Sequence, residues 1–266
     1  MSDAHFYRAF EDRHRGSRAL IKSRVRVYLP FLAPLRTLYE EAVVLDMGCG
    51  RGEWLELLGE EGFTAHGVDL DAGMLAACQE RGFSAEQGDA LESLKRLPDA
   101  SQCVVSGFHI AEHVPFATLQ EMVAEALRVL KPAGLLILET PNAENLVVGS
   151  CSFYLDPTHQ RPLPPLLLSF LTEHTGFVRN KILRLQESPD LVAHSAPVTL
   201  LQVLSGVSPD YAIVAQKSAS AENLALFDVP FAQEYGLTLE ALAAQYENDL
   251  RTTLRAELLQ ELGPPS

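Results

Sequence analysis

Between residues 43 and 53 the chain reads Val43-Val44-Leu45-Asp46-Met47-Gly48-Cys49-Gly50-Arg51-Gly52-Glu53, an apolar run closed by an acid and followed by alternating glycines. Glycine permits the left-handed backbone of a tight turn and lets the main chain approach a ligand closely. A helix that starts straight after such a turn presents unpaired N–H groups and the positive end of its dipole. The segment therefore predicts a strand, a loop and a helix in succession, with a polar or anionic group docked on the loop.

The alternation continues beyond this unit. After the strand Val43–Leu45, β-type runs at Ala65–Val68, Ser84–Gln87, Cys103–Val105 and Leu135–Leu138 alternate with helical patterns at Glu53–Glu61, Asp71–Arg81, Leu91–Leu97 and Phe116–Leu130. Strands joined by helical crossovers predict an α/β fold, a doubly wound, Rossmann-like and mostly parallel sheet with helices on both faces. A helix near Leu166–Thr175 and strands at Lys181–Gln186 and Tyr211–Ala215 complete seven strands. Ahead of the sheet, Ala19–Leu38 reads as helix, interrupted or ended near Pro30 and Pro34. The chain thus divides into a basic helical arm (1–42), the α/β domain (43–217) and a helical extension (218–266). In that extension Leu239, Leu242, Tyr246, Leu250, Leu254 and Leu258 recur at helical spacing. They pack on their own domain or join two copies as a short coiled coil.

Composition narrows the function classes. With 47% hydrophobic and 21% charged residues over 266 positions, the chain buries a core and is not disordered. No apolar run approaches the roughly 18–20 residues of a membrane span, and Asp3, His5 and Arg8 stand where a signal peptide needs a basic stub and an apolar run. The expectation is a cytoplasmic protein. Cys49, Cys78, Cys103 and Cys151 show no paired spacing, so neither a zinc cluster nor a disulfide framework is expected. A net charge of −14 argues against a nucleic-acid partner. Residues 1–36 nonetheless carry eight Lys or Arg against three acids, leaving 13 basic and 32 acidic residues in the rest.

The spacing of the loop separates two cofactor classes. Dinucleotide folds prefer G-x-G-x-x-G, with a pyrophosphate at the helix N-terminus. Here the pattern is G-x-G-x-G behind an acid, which repels a pyrophosphate and suits a cationic amino-acid cofactor. An acid followed by G-x-G-x-G, formed by Asp46, Gly48, Cys49, Gly50 and Gly52, resembles the first motif of the class I S-adenosylmethionine-dependent methyltransferases. Asp69, followed by Leu70, stands at the end of the second strand, where that resemblance implies an acid accepting both ribose hydroxyls. Asp89 follows the third strand, where it implies a group near the adenine amine with Ala90 as backbone donor. The resemblance covers about Val43 to Lys217 and implies S-adenosylmethionine as cofactor and a last strand inserted antiparallel.

Methyl transfer from a sulfonium asks the protein to align the acceptor and, for a hydroxyl, to remove a proton. The segment after the fourth strand supplies His109 and, in Glu-His-Val-Pro, His113. His113 resembles a frequent element of small-molecule methyltransferases and is the first choice for the base, its alternative role being to cap the turn. A second constellation, Phe153-Tyr154-Leu155-Asp156-Pro157-Thr158-His159-Gln160-Arg161, follows the fifth strand. There Asp156 and His159 either share a proton for abstraction or hold an Asx-turn together, and Tyr154 and Arg161 are candidates for binding acceptor. Arg15 and Arg18 in the arm either grip an anionic acceptor or form a solvated face balancing the acidic body. No cluster of carboxylates demands a metal, so none is expected, while magnesium on scattered acids stays open.

The Arg-Gly-Ser-Arg arm, the Glu-Thr-Pro-Asn-x-Glu-Asn run from Glu139, the Asp-Pro-Thr-His element and the helical tail are similar to methyltransferases accompanying bacterial surface-polysaccharide synthesis. That implies a sugar hydroxyl or glycan as acceptor. The alternatives are a small quinone-like or amine metabolite, a nicotinamide oxidoreductase and a cofactor-binding scaffold without catalysis.

Overall fold

The computed structural model describes residues 16–262, so Arg15 lies outside the described residues. The described residues open with α1 (Arg18–Val25), a 3-10 turn (Arg26–Tyr28) and α2 (Leu29–Leu38). Then come β1 (Val43–Met47), α3 (Glu53–Glu60), β2 (Thr64–Asp69), α4 (Ala72–Glu80), β3 (Ala85–Gln87), α5 (Ala90–Arg96) and β4 (Gln102–Phe108). They are followed by α6 (Phe116–Val129), β5 (Leu130–Pro141), α7 (Leu146–Ser150), α8 (Pro165–Thr175) and β6 (Arg179–Leu185). The last elements are α9 (Pro189–Val192), α10 (Leu200–Ser205), β7 (Asp210–Gln216), α11 (Ala221–Ala225), α12 (Asp228–Ala232) and α13 (Leu239–Leu262).

The strands form one seven-stranded, mostly parallel sheet in the order β3-β2-β1-β4-β5-β7-β6, the doubly wound arrangement expected from the alternation. The last strand, β7, is inserted between β5 and β6. Among the described residues no helix is long and apolar enough to cross a membrane.

Two compact units can be distinguished, the first comprising residues up to Gly107 with Ala124–Leu136 and Gln216–Ala232. Here β1 pairs in parallel with β2, Val43 opposite Thr64 and Met47 opposite Val68, and with β4, Val44 opposite Val104. Val44, Leu45, Met47, Val104 and Val105 are all buried, as strands covered on both faces require. Helix α3 buries Trp54, Leu55, Leu57 and Leu58 along one face. Its opposite face carries Glu56 and Glu60, which meet α1: Arg18 Nη2 lies 2.7 Å from Glu56, and Lys22 Nζ lies 2.7 Å from Glu56 and 2.5 Å from Glu60. Arg18 and Lys22 of the basic arm are thus paired with acids. The helical break falls before Pro30, and Pro34 is accommodated inside α2. As the sixth of ten residues, Pro34 forfeits the intrahelical bond its own nitrogen would otherwise make. Lys217 Nζ donates to the Leu127 and Leu130 carbonyls at 2.7 and 2.6 Å, satisfying groups orphaned where α6 ends.

The second unit holds Phe108–Val123, Ile137–Ala215 and the chain from Gln233. Helix α8 starts with Pro165 in its first turn and stops at Gly176, which adopts φ +117°. The terminal helix α13 divides along its length. Leu242 is buried among Val198, Val203 and Val207, with Leu239, Ala243 and Tyr246 packed alongside. Asp249 pins the helix by accepting from Val198 N at 2.8 Å and pairing with His194 Nε2 at 3.0 Å. Beyond it Leu250, Leu254 and Leu258 are exposed.

Candidate active site

In the first unit the glycine loop has the backbone its sequence predicts. Gly48, Gly50 and Gly52 adopt φ of +70°, +53° and +78°, a region costly for residues with a Cβ. Gly48 N and Cys49 N both donate to the Val68 carbonyl, at 2.8 and 3.1 Å, and Gly52 is the N-cap of α3. Space is as tight as conformation: a Cβ on Gly67 would stand 2.5 Å from Cys49 Sγ. Asp69 ties loop to strand, accepting from Gly50 N and Asp71 N at 2.8 Å each. Each of its oxygens keeps a lone pair for a further donor. Leu70 beside it is 70% exposed, an apolar side chain open to a ligand's flat face. Asp46 is buried and accepts from Ser106 Oγ at 2.8 Å, while Ser106 Oγ accepts from Trp54 Nε1 at 3.0 Å. Asp89 caps α5, accepting from Glu92 N at 3.0 Å, with Ala90 as the first helical residue.

The second unit gathers the histidines. The chain leaves β4 through His109, held at φ +54° with its N–H on the Glu139 carbonyl at 2.9 Å. His109 Nδ1 lies 3.2 Å from Glu112 Oε1 and its Nε2 3.8 Å from Glu139 Oε1. Burial works against its charge, but Glu112 and Glu139 outweigh it and hold its pKa well above the ordinary value. His109 is therefore protonated and ill-suited to remove a proton.

His113 is different. Burial lowers its pKa, so it is neutral near pH 7, and its Nδ1 lies 2.9 Å from Thr158 Oγ1. The Asp-Pro-Thr-His loop reaches this turn through further bonds, Gln160 N to the Glu112 carbonyl at 2.9 Å and Gln160 Nε2 to the His113 carbonyl at 3.0 Å. His159 and His113 stand edge to face with ring centroids 4.6 Å apart.

The geometry bears on the two readings of Asp156 and His159. Asp156 and His159 share no proton: His159 Nε2 is 3.9 Å from Asp156 Oδ2, and its Nδ1 donates instead to the Phe153 carbonyl at 2.6 Å. Asp156 is engaged by its own loop, accepting from Thr158 N at 2.8 Å and Thr158 Oγ1 at 2.6 Å, the Asx-turn alternative. Tyr154 is 60% exposed, with its ring against Phe153, and Arg161 places its guanidinium 4.5 Å from the Phe116 ring centroid. Arg18 belongs to the first unit, where Glu56 and the Arg51 carbonyl occupy its guanidinium.

Residues 44–134 match the family described as a methyltransferase domain. A solved S-adenosylmethionine-dependent methyltransferase from Archaeoglobus fulgidus is 35% identical with a TM-score of 0.69, covering 80% of this chain and 100% of its own. The chain belongs to the class I S-adenosylmethionine-dependent methyltransferases. Probable S-adenosylmethionine-dependent methyltransferases of Mycolicibacterium smegmatis and Mycobacterium tuberculosis are 33% and 30% identical, over 50% and 62% of this chain. The methyltransferase chain spans 51% and 61% of the length of these two curated relatives. A ubiquinone biosynthesis O-methyltransferase of Pseudomonas fluorescens is 32% identical over 37% of this chain and 44% of its own. S-adenosylmethionine, the family's cofactor, suits the loop of the first unit: the glycines that would be strained by a side chain leave its backbone bare.

Sequence reasoning passed over four of these methyltransferase residues as participants. Thr158 was legible only as a member of the Asp-Pro-Thr-His element, and Glu112 only as the neighbour of His113. Thr140, whose hydroxyl donates to Glu112 Oε2 at 2.9 Å, and Ser106 carry no local signal. Two asparagines of the run after β5 prove structural: Asn142 Nδ2 donates to the Ser208 carbonyl at 2.9 Å and Asn145 Nδ2 to the Val207 carbonyl at 2.7 Å.

Proposed function

We propose that this methyltransferase moves a methyl group from S-adenosylmethionine to a hydroxyl of a sugar or glycan acceptor, with His113 as general base. S-adenosylmethionine supplies a methyl on a sulfonium, a leaving group that needs no protonation. Asp46, the loop Gly48–Gly52 with Cys49, Asp69, Leu70, Asp89 and Ala90 hold it. The observation that carries the reading is the bond between Thr158 and His113. Thr158 Oγ1 has one proton and gives it to Asp156 Oδ1, so its oxygen accepts the Nδ1 proton of His113. That leaves Nε2 of His113 as the lone pair, with its ring neutral through burial. When Nε2 takes the acceptor's proton, the buried Glu112 carboxylate steadies the imidazolium. Thr158, Gln160, Arg161 and the exposed Tyr154 suit a hydroxyl-rich, partly flat acceptor such as a sugar.

A second acceptor, a quinone-like phenol, is favoured by the ubiquinone biosynthesis O-methyltransferases among the relatives. The same base serves it. We further take the active form to be a homodimer joined through the exposed leucines of α13.

The deciding experiment follows methyl-labelled S-adenosylmethionine into host extract fractionated into glycan, lipid-linked, protein, nucleic-acid and small-molecule pools. His113→Ala and His159→Ala are run beside the wild type. Label in the glycan or lipid-linked pool, lost in His113→Ala, is the expected result. Label in the small-molecule pool replaces the sugar with the metabolite reading, and cofactor binding without label in any pool overturns both.

A further inference from the structure

We propose that His109, Glu139 and Asp210 form a binding site for a divalent first-row transition ion such as Mn2+ or Zn2+. The sequence shows no metal cluster because the three residues are far apart along the chain. The fold assembles them: His109 follows β4, Glu139 lies near the end of β5 and Asp210 opens β7, three neighbouring strands of the sheet. One ligand atom from each lies within 4.8 Å of the other two. Ligands about 2.1 Å from a tetrahedral ion stand about 3.4 Å apart, close to the 3.8 Å between His109 Nε2 and Glu139 Oε1.

The surroundings are those of a ligating histidine. His109 directs Nδ1 to Glu112 Oε1 at 3.2 Å, and Glu112 is fixed from behind by the Thr140 hydroxyl at 2.9 Å. A carboxylate accepts only, so Nδ1 carries the hydrogen and Nε2 is the nitrogen that faces the ion. Glu139 is itself oriented by Gln186 Nε2 at 3.0 Å. Two carboxylates and one imidazole balance a dication, and mixed nitrogen and oxygen ligands suit Mn2+, Fe2+ or Zn2+ better than Ca2+. A rival triad, Glu112, His113 and His159, also brings ligand atoms within 4.8 Å. Glu112 of that triad is the carboxylate that orients His109 in the first one, and the His113→Ala arm of the test separates the two.

The test is made on the full chain, stripped with chelator and dialysed. Isothermal titration with Mn2+ and with Zn2+, followed by elemental analysis, is expected to give one ion per chain. Glu139→Gln and Asp210→Asn are each expected to weaken binding at least tenfold, and His113→Ala to leave it unchanged. In wild-type protein with 15N-labelled histidines, substoichiometric Mn2+ is expected to broaden the His109 ring signals first, a readout free of any folding defect in the variants. No retained ion overturns the proposal, as does binding indifferent to both carboxylate variants. Binding lost in His113→Ala with His109 unbroadened moves the ion to the rival triad and overturns it too. None of these outcomes depends on the acceptor or on methyl transfer, so failure here leaves the proposed function standing.

Discussion

Thr158 Oγ1 stands 2.9 Å from His113 Nδ1 while donating to Asp156 Oδ1 at 2.6 Å, so one hydroxyl decides which nitrogen of the imidazole is basic. Thr158→Val keeps the shape and removes the acceptor. His113 then loses its preference for the Nδ1-protonated tautomer, and kcat is expected to fall about 10- to 100-fold, a part of the 10²–10⁴ a general base supplies. S-adenosylmethionine affinity, read by calorimetry, stays within twofold and Thr158→Ser restores the rate. A Thr158→Val enzyme of full activity would sink the assignment.

The same residue sets a pH dependence. Burial is the larger influence on His113 and, against the pull of Glu112, holds its pKa below the ordinary value near 6.5. A base works as the neutral form, so with His113 in the proposed role kcat/KM is expected to be flat above pH 6.5 and to fall as pH drops through the lowered pKa. Stability follows with the same sign. A histidine whose folded pKa is depressed takes up its proton more readily when unfolded, so its contribution is complete above about 6.5 and is lost as pH falls. Rate profiles and urea unfolding across pH, for the wild type beside His113→Gln, check both, and an acid limb that survives in the variant belongs to another group.

Gly67 faces the cofactor loop from β2. An added Cβ would meet Cys49 Sγ at 2.5 Å, Cys49 Cβ at 2.6 Å and Leu55 Cδ1 at 2.9 Å, and Cys49 Cβ is bonded to the backbone and cannot swing away. Overpacking of this kind costs about 1–3 kcal/mol, and here the displaced group is the loop between Gly48 and Gly50. Gly67→Ala is expected to weaken S-adenosylmethionine binding about tenfold or more by calorimetry. The loop holds no cofactor if affinity survives in folded protein.

These tests fall on features of unequal visibility in the sequence. The strand, loop and helix around Gly48–Gly52 and the acids Asp46, Asp69 and Asp89 were legible because glycine spacing and strand ends are local properties. The tautomer of His113 was not, since it depends on a hydroxyl 45 positions away. Nor was the convergence of Glu139 and Asp210 on His109, which arises from β7 joining the sheet beside β5. The strand β5 starts at Leu130, where the pattern predicted helix, because residues 133–140 are buried throughout and carry no helical period. Helices α9 to α12, at most six residues long, fall below the length at which periodicity can be read. The stripe on α13 predicted an apolar face but not how much of it the domain covers.

Arg18 was a candidate for gripping an acceptor, and its partners make a different outcome testable. Its guanidinium meets Glu56 at 2.7 Å and the Arg51 carbonyl at 2.5 Å, with Lys22 on the same carboxylate. Partly exposed ion pairs contribute about 0.2–1 kcal/mol. Arg18→Gln is expected to lower stability by no more than about 1 kcal/mol in urea, with Glu56→Gln in a double-mutant cycle adding only the loss of its pair with Lys22. Acceptor KM is expected to stay unchanged. A KM raised tenfold with stability intact would return Arg18 to the acceptor site.

The proposed homodimer is tested at the exposed leucines of α13. Leu250, Leu254 and Leu258 repeat every four residues with exposures of 43%, 49% and 55%, while Leu242 earlier on the same helix is fully buried. A helix face of this kind can pair with its own copy around a two-fold axis, residue against residue. Fully burying an exposed leucine contributes about 1.5–3 kcal/mol, and six partly exposed leucines across the two copies are set against an association cost of about 4–15 kcal/mol, so the dimer is expected to be weak. Light scattering after size exclusion is expected to give twice the chain mass. Leu250→Gln, Leu254→Gln and Leu258→Gln together are expected to give a monomer of unchanged helical content, since Leu239, Leu242 and Tyr246 still anchor the helix. A wild-type monomer at 50-fold dilution ends the dimer only if it is also monomeric undiluted, because dilution alone dissociates a weak pair; a dimer that survives the triple substitution joins through another face.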